Sequence, residues 1–218
     1  MRRTQQIQSE PILIPLDSEA VLQGNLGIPA RAGGMVIFAH GRGSGRHSPR
    51  NRYIAELQQA GLATLLFDLL TYEEEQLDDL TRQYRFDIGL LAEWLVAATD
   101  WLALNPSTQH LKQAYFGAST GAAAALVAAA RLPDRIRAVV SRGGRPDLAG
   151  DALERVKTPT LLIVGGWDGE VLGLNQQAFA HLTCEKKLVV VPGATHLFEE
   201  PGKLEEVARL LVTGFPIT

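Results

Sequence analysis

The sequence predicts an α/β protein built on one mostly parallel sheet with helices on both faces. From residue 35 onward, short runs rich in Val, Ile, Leu and Phe alternate with longer amphipathic segments, as expected when helices join parallel strands. The strand candidates show little alternation of polar and apolar residues, which indicates that both faces of the sheet are covered. The length of 218 residues suits a single domain with a sizeable buried core.

The individual elements follow in order along the chain. PILIPL and AVLQGNLGIP predict an N-terminal hairpin that adds antiparallel strands at one edge, giving about eight strands in all. The six further strands are predicted at MVIFAH, ATLLFDLL, QAYFGA, IRAVVS, PTLLIVGG and KLVVVPG. Helices are predicted near 50–60, 86–104, 120–132, 147–155, 171–182 and 203–211. Leu91, Leu95 and Leu102 recur at helical spacing, so one stripe of the second helix should face the sheet.

Composition indicates an ordinary soluble protein. A net charge of -3 without a basic excess argues against nucleic-acid binding, and no segment reaches the roughly 18 apolar residues of a membrane-spanning helix. The N-terminal segment lacks a secretory signal and Cys184 is the only cysteine, so we expect a cytoplasmic protein in which Cys184 is structural. No group of His, Cys, Asp and Glu has metal-ligand spacing, so no metal is expected.

Ser119 lies between two glycines in GASTG, where a predicted strand meets a predicted helix. A sharp turn from strand to helix presses backbones together, so glycines flank it and the residue between them becomes accessible. This placement predicts a nucleophile. The alternative is that Ser119 only caps the Ala-rich helix that follows.

A serine hydroxyl needs a base to take its proton, and His196 suits that role best among the five histidines. It follows the last strand, at the carboxyl edge where open α/β sheets gather their sites. The other histidines are expected in turns, loops or on helix surfaces: His40, His47, His110 and His181. Asp168 follows the preceding strand and would orient the imidazole, with Asp147, one strand earlier, as the alternative acid.

Two backbone N–H groups are candidates for stabilising the negative charge that develops on an attacked carbonyl oxygen. Thr120 follows the nucleophile at a helix start, and Arg42 lies in the Gly-rich turn FAHGRGSG after the first parallel strand. That turn could instead cradle a phosphate. It lacks both G-x-G-x-x-G and the Lys-Ser/Thr ending of nucleotide loops, which disfavours this alternative.

Taken together, His40-Gly41, the GASTG motif, Asp168 and His196 make the chain resemble the α/β-hydrolase superfamily, and within it the dienelactone hydrolase-like group. The resemblance implies the α/β-hydrolase fold and cofactor-free cleavage of a small carboxylic ester or lactone through an acyl-enzyme. Dienelactone hydrolases proper use a cysteine nucleophile, whereas this chain has Ser119, so a serine esterase is expected. After the nucleophile helix comes the strand IRAVV, and only SRGGRPDLAG separates that strand from the next helix, which leaves no room for a large cap domain.

Two features bear on the substrate. Arginines cluster in the predicted loops at the carboxyl edge of the sheet: Arg42, Arg46, Arg142 and Arg145. Their guanidinium groups would bind the carboxylate of an acidic ester. The alternative is that they are solvated or paired with Asp and Glu. Residues 71–85 contain the acidic run EEEQLDD and form a candidate flap, unless that run is only a solvated face.

The expected partner is a small-molecule substrate, and the expected assembly is a monomer or homodimer. A thioesterase or peptidase would use the same three residues. A binding protein that retains the fold without catalysis is the alternative from another class.

Overall fold

The computed structural model describes residues 9–16, 20–40 and 54–214. Within them, eight strands form one sheet: β1 (Ser9–Pro15), β2 (Val21–Gly27), β3 (Gly34–Ala39), β4 (Leu62–Phe67), β5 (Lys112–Ala118), β6 (Ile136–Arg142), β7 (Thr160–Gly165) and β8 (Lys186–Val191). Their order across the sheet is β1-β2-β4-β3-β5-β6-β7-β8. β2 runs antiparallel to β1 and β4, and the remaining neighbours are parallel, so the hairpin prediction is confirmed.

The helices of the described residues are α1 (Ile54–Gln59), α2 (Tyr72–Thr81), α3 (Ile88–Leu104), α4 (Thr120–Arg131), α5 (Ala152–Arg155), α6 (Gly169–His181) and α7 (Lys203–Gly214). A short 3₁₀ helix, Pro146–Ala149, precedes α5. Only this turn and α5 lie between β6 and β7, so the expected absence of a large cap at this point holds. In the parts of the chain that the structure describes, no helix is long and apolar enough to cross a membrane.

The central strands send alternate side chains into two apolar clusters, one on each face of the sheet. In β3, Met35 and Ile37 belong to the cluster packed under α3, α4, α5 and α6. Val36 and Phe38 belong to the cluster packed under α1 and α7. Helices therefore cover both faces, as the apolar strands predict.

The Ala-rich helix α4 is buried over most of its circumference, including Ala122 to Ala125, Ala128 and Ala129. Alanine propagates a helix well and has no bulk beyond Cβ, so the helix lies close to the sheet and to α3. In the same layer Tyr115 and Thr99 share a hydrogen bond of 2.7 Å, and burial raises the pKa of the Tyr115 phenol. Cys184 is partly buried, its Sγ 3.7 Å from Thr160 Oγ1, which fits the structural role expected of it.

Residues 71–85 differ from the expected loop because they contain α2. Thr71 and Glu74 form a capping box in which each side chain bonds the other residue's backbone N–H, at 3.2 and 2.8 Å. Such reciprocal bonds satisfy two donors that a helix start otherwise leaves unpaired. The sequence T-Y-E-E carries this signal, which an interpretation of the acidic run as a loop overlooks.

The acidic run is also more than a solvated face, because Asp78 within it is fully buried. Its carboxylate accepts from Arg85 Nε at 2.9 Å and from the backbone N–H of Tyr84 at 2.9 Å. Trp94 Nε1 donates to Glu74 at 3.0 Å, which ties α2 to α3. The segment is thus linked internally through Asp78 and Arg85 and joined to α3 through Glu74, and its role as a flap stays a prediction.

Candidate active site

Ser119 lies at the turn between β5 and α4 with φ 52° and ψ -127°. A non-glycine residue in this conformation costs on the order of 1–3 kcal/mol and persists only where its surroundings enforce it. The side chain is half-buried and makes no hydrogen bond to the helix backbone. Ser119 therefore does not cap α4 through its hydroxyl, and the strained turn leaves that hydroxyl available for chemistry.

The two glycines that flank Ser119 are required by close backbone approach. A Cβ on Gly117 would lie 2.7 Å from the backbone nitrogen of Ala122 in the first turn of α4. A Cβ on Gly121 would lie 2.6 Å from the carbonyl carbon of Ala39, the last residue of β3. Each distance is shorter than real Cβ contacts, so only glycine fits at either position.

Asp168 and His196 form a close pair at the carboxyl ends of β7 and β8. The distance from His196 Nδ1 to Asp168 Oδ2 is 2.7 Å. A carboxylate only accepts, so Nδ1 carries the proton and the lone pair of Nε2 can act as a base. The Asp168 side chain is 14% exposed and that of His196 is 40% exposed, so the carboxylate is shielded while the imidazole is reachable from solvent.

Backbone hydrogen bonds join the two loops that carry this pair. Trp167 N donates to Ala194 O at 3.0 Å, and Gly166 N donates to Val191 O at 2.8 Å. A Cβ on Gly165 would lie 2.6 Å from Thr195 O, so this glycine permits the close approach. The separation of Asp168 from His196 is therefore set by the backbone rather than by the two side chains alone.

Two contacts hold residues 195–200, the segment around His196. Phe198 is fully buried with φ 57°, and the guanidinium of Arg142 lies 5.7 Å from the centre of its ring. On the other side, Thr195 Oγ1 donates to Glu200 at 2.6 Å, and this hydrogen bond holds the pKa of the Glu200 carboxyl below its usual value.

The loop after β6 connects the surroundings of Ser119 with those of His196. Arg145 N donates to the carbonyl oxygen of Ser119 at 3.0 Å. A Cβ on Gly143 would lie 2.9 Å from the His196 carbonyl oxygen. No hydrogen bond joins the Ser119 side chain to the imidazole among the described residues. Such catalytic bonds are often long before substrate binds, so the arrangement is compatible with proton transfer.

Comparison with known proteins identifies the family. The family model of the alpha/beta hydrolase fold matches residues 34–191, most of the chain. The protein belongs to the α/β-hydrolase family. A crystal structure of dienelactone hydrolase from Anabaena variabilis ATCC 29413 is 62% identical to this protein, with a TM-score of 0.91 over 95% of this chain and 96% of that one. The resemblance to the dienelactone hydrolase-like group is thereby confirmed.

More distant and longer proteins complete the comparison. Est1E from Butyrivibrio proteoclasticus shares the fold at 17% identity, with a TM-score of 0.76 over 93% of this chain and 96% of that one. Two Mycobacterium tuberculosis proteins, whose names as phosphoribosyl transferases are provisional, are 61% identical over 193 residues, 88% of this chain and 43% of theirs. The chain therefore spans less than half the length of these curated relatives.

The remaining candidate acid and two of the candidate arginines have defined neighbours. Asp147 pairs with Arg145 at 2.7 Å, and this hydrogen bonding raises the pKa of Arg145. Arg142 is 5% exposed, and its Nη1 donates to Leu197 O at 3.4 Å. Asp147 is thus engaged by a cation while Asp168 is bonded to His196.

Of the two candidate oxyanion donors, Thr120 lies within the described residues and Arg42 does not. Thr120 is the first residue of α4, and N–H groups in a first helical turn have no acceptor within the helix. Arg42 and Arg46 lie outside the described residues, as does His47. His40 is buried, and its ring stacks on Phe38 at 5.5 Å, which agrees with a structural position at the end of β3.

Sequence reasoning missed two residues at this edge. Trp167 directly precedes Asp168 and is 71% exposed, and the neighbour of His196, Leu197, is 37% exposed. Together they place apolar surface beside Asp168 and His196. The available signal is a large aromatic two residues after Gly165, the last residue of β7, where an apolar side chain gains nothing from the core.

Proposed function

We propose that this hydrolase cleaves a small carboxylic ester or lactone with Ser119 as nucleophile, His196 as base and Asp168 as the acid that orients it. The observation that carries the proposal is the 2.7 Å bond between His196 Nδ1 and Asp168 Oδ2, at the sheet edge that also carries the strained Ser119 turn. A loop in contact with the backbones of both Ser119 and His196 supports their cooperation.

The chemistry proceeds in two stages. Ser119 Oγ bonds to the carbonyl carbon as its proton moves to His196 Nε2. The protonated imidazole then gives that proton to the leaving alcohol oxygen as the ester C–O bond breaks. Water next attacks the acyl-enzyme, loses a proton to His196 and releases the acid, while Ser119 regains its proton. The N–H groups of Thr120 and Arg42 are the proposed donors to the oxyanion, aided by the positive end of α4.

Replacing the acid tests the assignment of Asp168 against Asp147. We expect Asp168→Asn to lower kcat by a factor on the order of 10⁴, because the amide no longer favours the tautomer with Nε2 free. Asp147→Asn should keep nearly full turnover, since Asp147 bonds Arg145. Steady-state hydrolysis of p-nitrophenyl acetate by both variants measures the difference, and a larger loss in the Asp147 variant would reassign the acid.

The arginines favour an acidic acyl group as the substrate. Arg145 is already paired with Asp147, so an unneutralised guanidinium would come from Arg42 or Arg46 in this proposal. We expect Arg42→Ala to lower kcat/KM for a p-nitrophenyl succinate monoester about tenfold, the typical effect of losing one charged hydrogen bond. Hydrolysis of p-nitrophenyl acetate, which shares the leaving group, should change little. Equal losses on both esters would remove the acidic substrate from the proposal.

A further inference from the structure

Asn175 is a fully buried amide in the middle of α6. Its Nδ2 donates to Val171 O one turn earlier at 2.8 Å and to Gly144 O in the loop after β6 at 2.9 Å. Both acceptors are carbonyl oxygens, so the nitrogen and not the oxygen of the amide faces them. Asparagine is a modest helix former and is seldom buried, so a tertiary role is expected where it occupies a helix interior.

Gly144, whose carbonyl oxygen accepts this bond, packs against β6 and against the first turn of α4, the helix that follows Ser119. A Cβ there would overlap Ser141 Oγ on β6 and Ala122 Cβ in the first turn of α4. Gly144 therefore lies close to both β6 and α4, with no room for a side chain. The amide of Asn175 fixes the same peptide from the opposite element, α6.

The residues on either side of Gly144 contact the backbones of Ser119 and His196, the nucleophile and base of the proposed mechanism. Arg145 N–H donates to the Ser119 carbonyl oxygen at 3.0 Å, and Gly143, with φ 50°, lies against the backbone of His196. Because Ser119 holds a strained conformation, its carbonyl must be restrained from outside the turn. A shift of the Gly144 peptide would therefore move both Ser119 and His196.

We propose that Asn175 is a positioning residue for the reaction, acting through Gly144 on Ser119 and His196. The inference rests on the proposed function of Ser119. α6 then has two roles at the site. It begins directly after Asp168, and it carries Asn175 nearly two turns later. One helix thus fixes the acid at its start and the nucleophile loop from its middle.

The test removes the donor while keeping the side-chain volume. We expect Asn175→Leu to lower kcat about 10- to 100-fold with little change in KM, because a displacement of about 1 Å at the reacting atoms has this effect. The rate of covalent labelling of Ser119 by a fluorophosphonate should fall in parallel. If the leucine variant does not fold, Asn175→Ala is measured in its place.

Ala178→Gly is the matched control, since Ala178 is buried on the same helix and Asn175 is left intact. This control should lower the Tm but leave kcat per folded molecule unchanged. An Asn175 variant that behaves the same way, with a lower Tm and full kcat, would overturn the positioning role. A fully active Ser119→Ala enzyme would instead overturn the proposed function, which keeps the two failures apart.

Discussion

Ser119→Ala is expected to lower kcat for ester hydrolysis by a factor on the order of 10⁵ to 10⁶ and to abolish covalent labelling by a fluorophosphonate. Without the hydroxyl no acyl-enzyme forms, and only the oxyanion donors and substrate binding remain to assist attack by water. The fold should be unaffected, because the Ser119 side chain makes no hydrogen bond to α4. Turnover of p-nitrophenyl acetate, gel-based labelling and a melting curve measure the three effects.

Ser107→Ala is the matched control for this substitution, because Ser107 is exposed in the turn after α3. It should label and turn over like the wild type. If labelling survives in the Ser119 variant and disappears in another serine variant, that other serine is the nucleophile. A wild-type protein that neither labels nor hydrolyses esters would favour the non-catalytic binding protein that shares this fold.

The sequence predicts the sheet well because its strands are short and apolar and are separated by amphipathic helices. Ser119, Asp168 and His196 each follow a different strand, and parallel strands bring their carboxyl ends to one edge. Chain order alone therefore predicts that the three lie near one another. The pairing of Asp168 with His196 rather than with another cation depends on loop geometry, which no sequence pattern specifies.

The features that sequence analysis misses depend on contacts between residues far apart in the chain. Arg142 looks like a substrate-binding cation in the sequence, yet it is buried beside Phe198, 56 positions later. Asn175 gives no signal of its own, since its bond to Gly144 spans 31 positions. α2 is different, because its Thr71–Glu74 capping box is local and was readable from the sequence.

Gly121→Ala is expected to be the most damaging single-methyl change near the site. The new Cβ would lie 2.6 Å from the carbonyl carbon of Ala39 and 3.2 Å from that of His40. Both atoms belong to the backbone at the end of β3, so no side chain can rotate away and the strand itself must shift. We expect a loss of about 3 kcal/mol, which lowers the Tm by about 6–12 °C for a chain of this size. Activity should fall as well, because β3 leads into the segment of the sequence that contains Arg42.

Gly173→Ala is expected to change the stability in the opposite direction. The comparison therefore separates the effect of steric overlap from the effect of losing a glycine. Gly173 lies inside α6, and no heavy atom comes within 4 Å of its added Cβ. Alanine there should stabilise the protein by about 0.5–1 kcal/mol, since it reduces the backbone freedom of the unfolded chain in a helical position. Thermal unfolding of the two variants side by side measures both shifts. A Gly121→Ala protein with an unchanged Tm would mean that α4 does not press on β3, and the strained turn at Ser119 would then lose its main support.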